Sequence, residues 1–252
     1  MAKKMKQDFL YLFSDGACLN NPGKGGWGSL ILDSDGFVTE IGGFENLTTN
    51  NKMELRAICE GLSFVLKSIR NKKDLHVYTD SKYVVEGVNK WLPAWVKSGW
   101  ITAAKKEVQN QDLWKRILSL LADLKEERKI FFHHVPSHVG LVLNERVDKI
   151  ASTCAEKEKN YFYEKELINY PYKESLKTLG SDIEKAKGLK SKLSAHKKKI
   201  AFSYVSLVEG KVETHKTWAE CEARVKGAAF ARFKKASSKE EEEEIIRNFN
   251  KS

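Results

Sequence analysis

The sequence predicts an α/β layered fold with a mixed sheet, followed by a small α+β C-terminal domain. Two observations carry this expectation. Strand patterns first follow one another and then alternate with helical ones, the order of a sheet covered by helices. Composition then shifts after about Lys157 to a Lys- and Ser-rich stretch, and ordered alternation returns at Ile200.

"DFLYLFSDGA" alternates aromatic and aliphatic residues and reads as a strand running into Asp15. "GGWGSLILDSDGFVTEIGGF" reads as two more strands joined through the turn "DSDG". Leu55, Cys59, Leu62, Leu66 and Ile69 recur at helical spacing and predict a helix over 52–69. "DLHVYTDS" is a short strand, and "SKYVVEGVNKWLPAWVKSG" is a helix interrupted at Pro93. "QDLWKRILSLLADLKEE" is a helix, "KIFFHHV" a strand and "NERVDKIASTCAEKEK" a helix. Residues 158–170 are expected to continue that helix until Pro171, and 158–198 as a whole to form a partly helical linker between a domain of residues 1–157 and one of residues 199–252. The second domain reads as strand "IAFSYVSLVEG", a turn, helix "TWAECEARVKG", strand "AFARFKKA" and helix "SSKEEEEEIIRNF". Five consecutive glutamates open that last helix, where the macrodipole favours acid, so they are read as a solvated helix start and not as a binding site.

Across 252 residues, 44 basic against 34 acidic side chains leave a net charge of +10. A basic balance favours a polyanionic partner. The four cysteines are scattered with no Cys-x-x-Cys pair, which argues against a zinc site or a disulfide framework and for reduced packing residues. No apolar run approaches the roughly 18 residues that span a bilayer, and the basic N-terminus lacks a cleavage-site pattern, so a cytoplasmic protein with no membrane partner is expected.

Three acids stand out. Asp15 and Asp80 each end a predicted strand, and parallel neighbouring strands would deliver both to one sheet edge, where open α/β sheets place ligands. Glu54 borders the buried stripe of its helix, and its neighbours Ala57, Ile58 and Gly61 cannot pair with a carboxylate. Acids converging without a basic partner repel unless a cation sits among them, and all-oxygen ligation suits magnesium or manganese. Taken singly, each acid has a plainer explanation. Asp15 before Gly16 fits turn chemistry, Asp80-Ser81 fits a helix cap, and Glu54 fits a surface position.

The motifs "SDGACLNNPGKGGWG", "TTNNKMELRA", "YTDSKYV", "NQDLW" and "VPSHVGLVLNERVDKIA", taken together and in order, resemble type 1 ribonuclease H over residues 8–156, most closely the bacterial enzymes with a basic protrusion. The resemblance implies a five-stranded mixed sheet flanked by helices and cleavage of the RNA strand of RNA–DNA hybrids to 3′-hydroxyl and 5′-phosphate ends. Carried over by motif, Asp15, Glu54, Asp80 and Asp148 are metal-binding carboxylates for two Mg2+ or Mn2+ ions, and His138 is the mobile-loop histidine. Asn21, Asn50 and Asn51 correspond to residues that contact both strands; side chains that donate and accept can read a 2′-hydroxyl. Thr49 and Asn110 match a pocket for a phosphate of the DNA strand, with Leu47 where some eukaryotic members carry arginine. The protrusion supplies Trp91, Trp95, Trp100 and Trp114 with Lys97, Lys105 and Lys106, and Trp91 and Trp114 are assigned mainly to the core. Val96, Ser98, Ile101 and Ala104 replace residues that are often charged, so weak hybrid affinity is expected from this domain alone.

The C-terminal stretch resembles the hybrid-binding domain of eukaryotic type 1 enzymes and viroplasmin-like proteins through "TWAEC" and "FKK". That resemblance implies stacking of Trp218 and Phe233 on DNA sugars and phosphate contacts from Lys234 and Lys235, with double-stranded RNA as an alternative ligand. The chain is expected to be a monomer. The alternatives to a hybrid nuclease are a non-catalytic hybrid or double-stranded RNA binding protein and a transposase-like DNA nuclease.

Overall fold

The structure is a computed structural model that describes residues 8–137, 139–197, 202–228 and 230–250, the side chains of 189–197 excepted. It divides into two units, Met1–Lys190 and Ser191–Ser252. Among the described residues no helix is long and apolar enough to cross a membrane.

The first unit is built on a mixed sheet of six strands in the order β5-β4-β1-β2-β3-β6. Strands β1 (Leu10–Cys18), β2 (Gly23–Asp33) and β3 (Phe37–Thr48) form an antiparallel meander. The predicted "DSDG" turn joins β2 to β3, with Gly36 at φ +117° and Asp33 Oδ1 accepting from the Asp35 amide at 3.0 Å. Helix α1 (Asn50–Ser68) then crosses over to β4 (Leu75–Thr79), which lies parallel to β1, and β5 (Ile130–His134) lies parallel to β4. Leu10, Leu12, Leu75 and Val77 point to one face, under α1 and α4 (Gln111–Lys125). Phe13, Leu30, Leu32 and Tyr78 point to the other, under α5 (Val142–Lys157).

The helix expected to break at Pro93 breaks earlier. Helix α2 (Lys82–Glu86) opens into a π turn over Gly87–Trp91 before α3 (Leu92–Lys97). Proline lacks an N–H, and its ring crowds the carbonyl four residues back, so the wider turn ahead of it relieves both.

The larger departure lies beyond α5. Residues 158–170 do not continue the helix: Glu158 turns into the left-handed region, and Tyr161–Glu166 forms β6, antiparallel to β3. "YFYEKE" alternates, with Tyr161 and Tyr163 on the α5 side and Phe162 and Glu164 on the other, a strand pattern that an extended helix hides. Tyr170 then buries itself, and the first half of α6 (Ser175–Lys197) packs Leu176, Leu179, Ile183 and Ala186 onto the same face as Phe13 and Tyr78. The sheet therefore has six strands where five were expected, and much of the expected linker is part of the first unit.

The second unit is a three-stranded antiparallel sheet, β8-β7-β9. Strand β8 (Lys211–His215), where a turn is expected from the sequence, pairs with β7 (Ser203–Val208) across Glu209 and Gly210, both at positive φ. Val205 and Ala236 pack against Ile245 and Phe249 of α8 (Lys239–Asn250). On the other side, Arg224 of α7 (Trp218–Val225) donates to Ser206 Oγ at 2.7 Å. The glutamates of α8 sit in its first turns as predicted, and Glu241 accepts from the Ser237 amide at 2.8 Å.

Candidate active site

The β1–β4 register pairs Phe13 with Tyr78, and two residues further on come Asp15 and Asp80. Asp80 directly follows the last residue of β4, whereas Asp15 stands within β1, opposite Gly28 of β2, because β1 runs on to Cys18 past the strand end expected there. The rings of Phe13 and Tyr78 stack at 4.8 Å and form an apolar floor behind the two acids. Glu54 reaches this edge from the second turn of α1. A Cβ on Gly16 would lie 2.2 Å from the Glu54 amide nitrogen, so only glycine lets the helix backbone rest on the strand beside Asp15. Ligand atoms of Asp15, Glu54 and Asp80 all fall within 4.8 Å of one another.

Asp148 stands near this group, on α5. Gly28 brings that helix close, since a Cβ there would meet Val147 O at 2.9 Å and Ile150 Cβ at 3.0 Å. Asp148 accepts from Ser152 Oγ at 3.2 Å and faces Asp15 closely enough to raise its pKa, although it lies outside the tight group of three. One turn earlier, buried Asn144 donates from Nδ2 to Asp80 Oδ2 at 3.4 Å. The sequence reading missed Asn144; its place one turn before Asp148 in "NERVD" is the signal that was available.

Electrostatics make the cluster unusual. Burial first, then the nearby Asp80 and Asp148, push the Asp15 carboxyl well above the usual carboxylate range. Burial first, then Asp15 and Asp80, do the same to Glu54. Glu54 is 6% exposed; its Oε1 accepts from Asn50 Nδ2 at 3.3 Å, and its Oε2 is buried with no hydrogen-bond partner among the described residues. Crowded carboxylates with an unpartnered buried oxygen are what a hard dication would satisfy, and the donor set is all oxygen.

The predicted substrate contacts gather beside this edge. Asn21, Thr49, Asn51 and Asn110, with Pro22 and Gln109, line one open cavity of about 560 Å³. Thr49 caps α1, accepting from the Lys52 amide at 3.4 Å, and Asn21 Oδ1 accepts from the Asn50 amide at 3.1 Å. Asn110 sits in the left-handed region at φ +54°. The Asn50 side chain turns to Glu54 and so stands between cavity and carboxylates. His138 lies outside the described residues.

In the protrusion, Trp114 is fully buried against Gly87, Trp95 and Tyr83, whereas Trp91, Trp95 and Trp100 are half-buried and Lys97, Lys105 and Lys106 are exposed. Trp91 and Trp95 line a groove of about 370 Å³, so of the two assigned to the core only Trp114 is fully so.

In the second unit, Trp218 and Phe233 are 38% and 53% exposed with ring centroids 5.0 Å apart, and Tyr204 lies 5.5 Å from Trp218. Strand alternation along β9 (Arg232–Ala236) sets Lys235 on the side of Phe233 and Lys234 on the side of Ala236, so the two lysines do not share one face.

The RNase H family model matches residues 7–156. A ribonuclease H of Erythrobacter litoralis is 45% identical over 145 residues, covering 58% of this chain and 94% of that protein. One from Prochlorococcus marinus is 48% identical over 141 residues, covering 55% and 82% respectively. The crystal structure of LC9-RNase H1, a type 1 RNase H, superposes with a TM-score of 0.52 at 23% identity over 63% of this chain and 78% of that one, a likeness of fold. With a matched segment that contains all four acids and the cavity beside them, the chain belongs to the RNase H family.

Proposed function

We propose that this protein is a type 1 ribonuclease H that cuts the RNA strand of RNA–DNA hybrids with two divalent metal ions, and that its second unit is a hybrid-binding module. The observation that carries the catalytic reading is the buried, unpartnered Oε2 of Glu54 among converging carboxylates. Asp15, Glu54, Asp80 and Asp148 would hold Mg2+ or Mn2+, and the bound ions would supply the positive charge that phosphodiester hydrolysis requires as charge builds on phosphate and leaving oxygen. A water oxygen joins phosphorus, the bond to the 3′ oxygen breaks, and the products are a 3′-hydroxyl and a 5′-phosphate. Asn144 orients Asp80, and the Phe13–Tyr78 floor keeps bulk water from behind the acids. His138, carried over by motif, helps proton transfer or product release, tasks that suit a side chain whose proton exchanges near neutrality.

Asn21, Asn50 and Asn51 read the two strands, and the cavity shared by Thr49 and Asn110 takes a phosphate of the DNA strand. Trp95 and Trp100, with Lys97, Lys105 and Lys106, follow the sugar–phosphate groove. In the second unit Trp218 and Phe233 offer adjacent half-exposed rings for stacking on sugars, with Lys235 beside them and Lys234 approaching phosphate from the other side of the strand.

The test is a side-by-side cleavage assay on labelled hybrid, double-stranded RNA and double-stranded DNA in Mg2+ and in Mn2+, with Asp80→Asn as control. Cutting of hybrid alone, lost in the variant, is expected; binding without cutting would favour the non-catalytic alternative. Run in parallel, a chain lacking residues 199–252 should bind hybrid more weakly and make fewer repeated cuts while retaining a single turnover.

A further inference from the structure

The family match ends at residue 156, yet the first unit continues through β6 and into α6. What binds that continuation is a buried carboxylate. Glu40, on β3, is fully buried and accepts from Arg146 Nε at 2.8 Å, Arg146 Nη2 at 2.6 Å, Tyr161 OH at 3.0 Å and Tyr170 OH at 2.6 Å. Two of these donors come from beyond the match, and Tyr170 is itself 2% exposed. The Arg146 guanidinium also lies 5.7 Å from the ring of Tyr161 and 5.8 Å from that of Tyr172.

Arg146 stands on α5 midway between Asn144, which holds Asp80, and Asp148. A bidentate pair with a desolvated partner fixes a helix both along its axis and about it. Leu179 and Ile183 of α6 press from outside on the core that contains Val147, the residue between Arg146 and Asp148, and Phe13 and Tyr78, two residues before Asp15 and Asp80. The continuation therefore touches the site's supports from two sides.

We propose that residues 161–186 are a positioning element of the catalytic site, and that Arg146 and Tyr170 are positioning residues that set Asp148 against Asp15 by clamping α5 to β3. The proposal rests on the reading of Asp148 as a metal-holding carboxylate. The tyrosine hydroxyls hold the Glu40 carboxylate in the orientation that the Arg146 fork meets; without them the carboxylate can turn, the fork loses its fixed partner, and the fourth acid shifts relative to the other three.

The test uses the full chain with Tyr170→Phe, which deletes one hydroxyl and keeps the ring, and with Arg146→Lys, which keeps the charge and loses the fork. Calorimetric titration with Mn2+ in the absence of nucleic acid should show affinity about tenfold weaker, the low end of what outer-shell partners of a metal site contribute. On hybrid, kcat should fall while KM stays within about twofold, and in an Asp148→Asn background Tyr170→Phe should add nothing further. Unchanged Mn2+ affinity and kcat in both variants, or losses that add fully to Asp148→Asn, would overturn the positioning role, including when thermal stability falls. A wild-type chain that binds Mn2+ and cuts no hybrid overturns the nuclease reading instead, so the two failures are distinct.

Discussion

Glu40 and Glu54 are both buried glutamates in the same unit, and they are treated in opposite ways. Glu40 has an arginine and two tyrosines around it, and those donors outweigh burial to hold its carboxyl below the ordinary value of 4.5. Glu54 has only the Asn50 side-chain amide and the nearby Gly16 backbone amide to favour its charge, against burial and two other acids, and its carboxyl is pushed well above that value, with Oε2 making no hydrogen bond among the described residues. Burial opposes charge at both places; what differs is the partner. A carboxylate neutralised by its own chain serves as a structural clamp, whereas one left short of positive charge is fitted to a cation from outside.

The strongest attempt to break this contrast is to neutralise each glutamate in turn. Glu54→Gln should cost hybrid cleavage at least about a thousandfold, because it removes a charge that the dications require. The same variant should melt no lower than wild type in EDTA, by calorimetry or circular dichroism. Glu40→Gln should do the reverse to stability, costing about 2–4 kcal/mol in denaturant titration because Arg146 is left without its countercharge. A Glu54→Gln protein that melts far below wild type without metal would erase the distinction.

The pH dependence sharpens it with smaller effects. Glu40 has a depressed folded pKa, so its stabilisation is present above the ordinary 4.5 and is lost only as pH falls below it through the folded value. Asp15 and Glu54 have raised folded values, so their penalty is full at pH above those values and vanishes as pH falls toward the ordinary range near 4. In EDTA, the stability gap between Glu54→Gln and wild type should therefore close on acidification to about pH 4.5, while the gap for Glu40→Gln should persist to lower pH. Adding Mg2+ at neutral pH should raise the wild-type melting temperature by a few degrees and leave Glu54→Gln nearly unmoved.

The legibility of the two sites in the sequence differs for a related reason. Asp15 and Asp80 follow stretches whose local alternation already points to a shared edge, although β1 runs on past Asp15 to Cys18, and Glu54 stands out because its helical neighbours cannot pair with it. Asn21, Asn51, Thr49 and Asn110 are marked only by motif resemblance, and the fold brings these four to one cavity while Asn50 turns to Glu54. Glu40 gave no such sign. Its partners are 106 to 130 residues away, and nothing local marks a glutamate within "FVTEIGG" as a buried acceptor. Strand β6 is hidden similarly, since its six alternating residues follow a long helix directly and the sheet it joins decides between the two. Trp91 and β8 were misjudged for the same want of tertiary context.

The contact at Gly16 has a consequence for how the cation seat tolerates change. With the first strand and the crossing helix separated there by nothing larger than a hydrogen atom, the gauge of the seat is set by a missing methyl group. Even alanine would act as a shim, prising Glu54 away from its fellows while leaving every oxygen donor chemically intact.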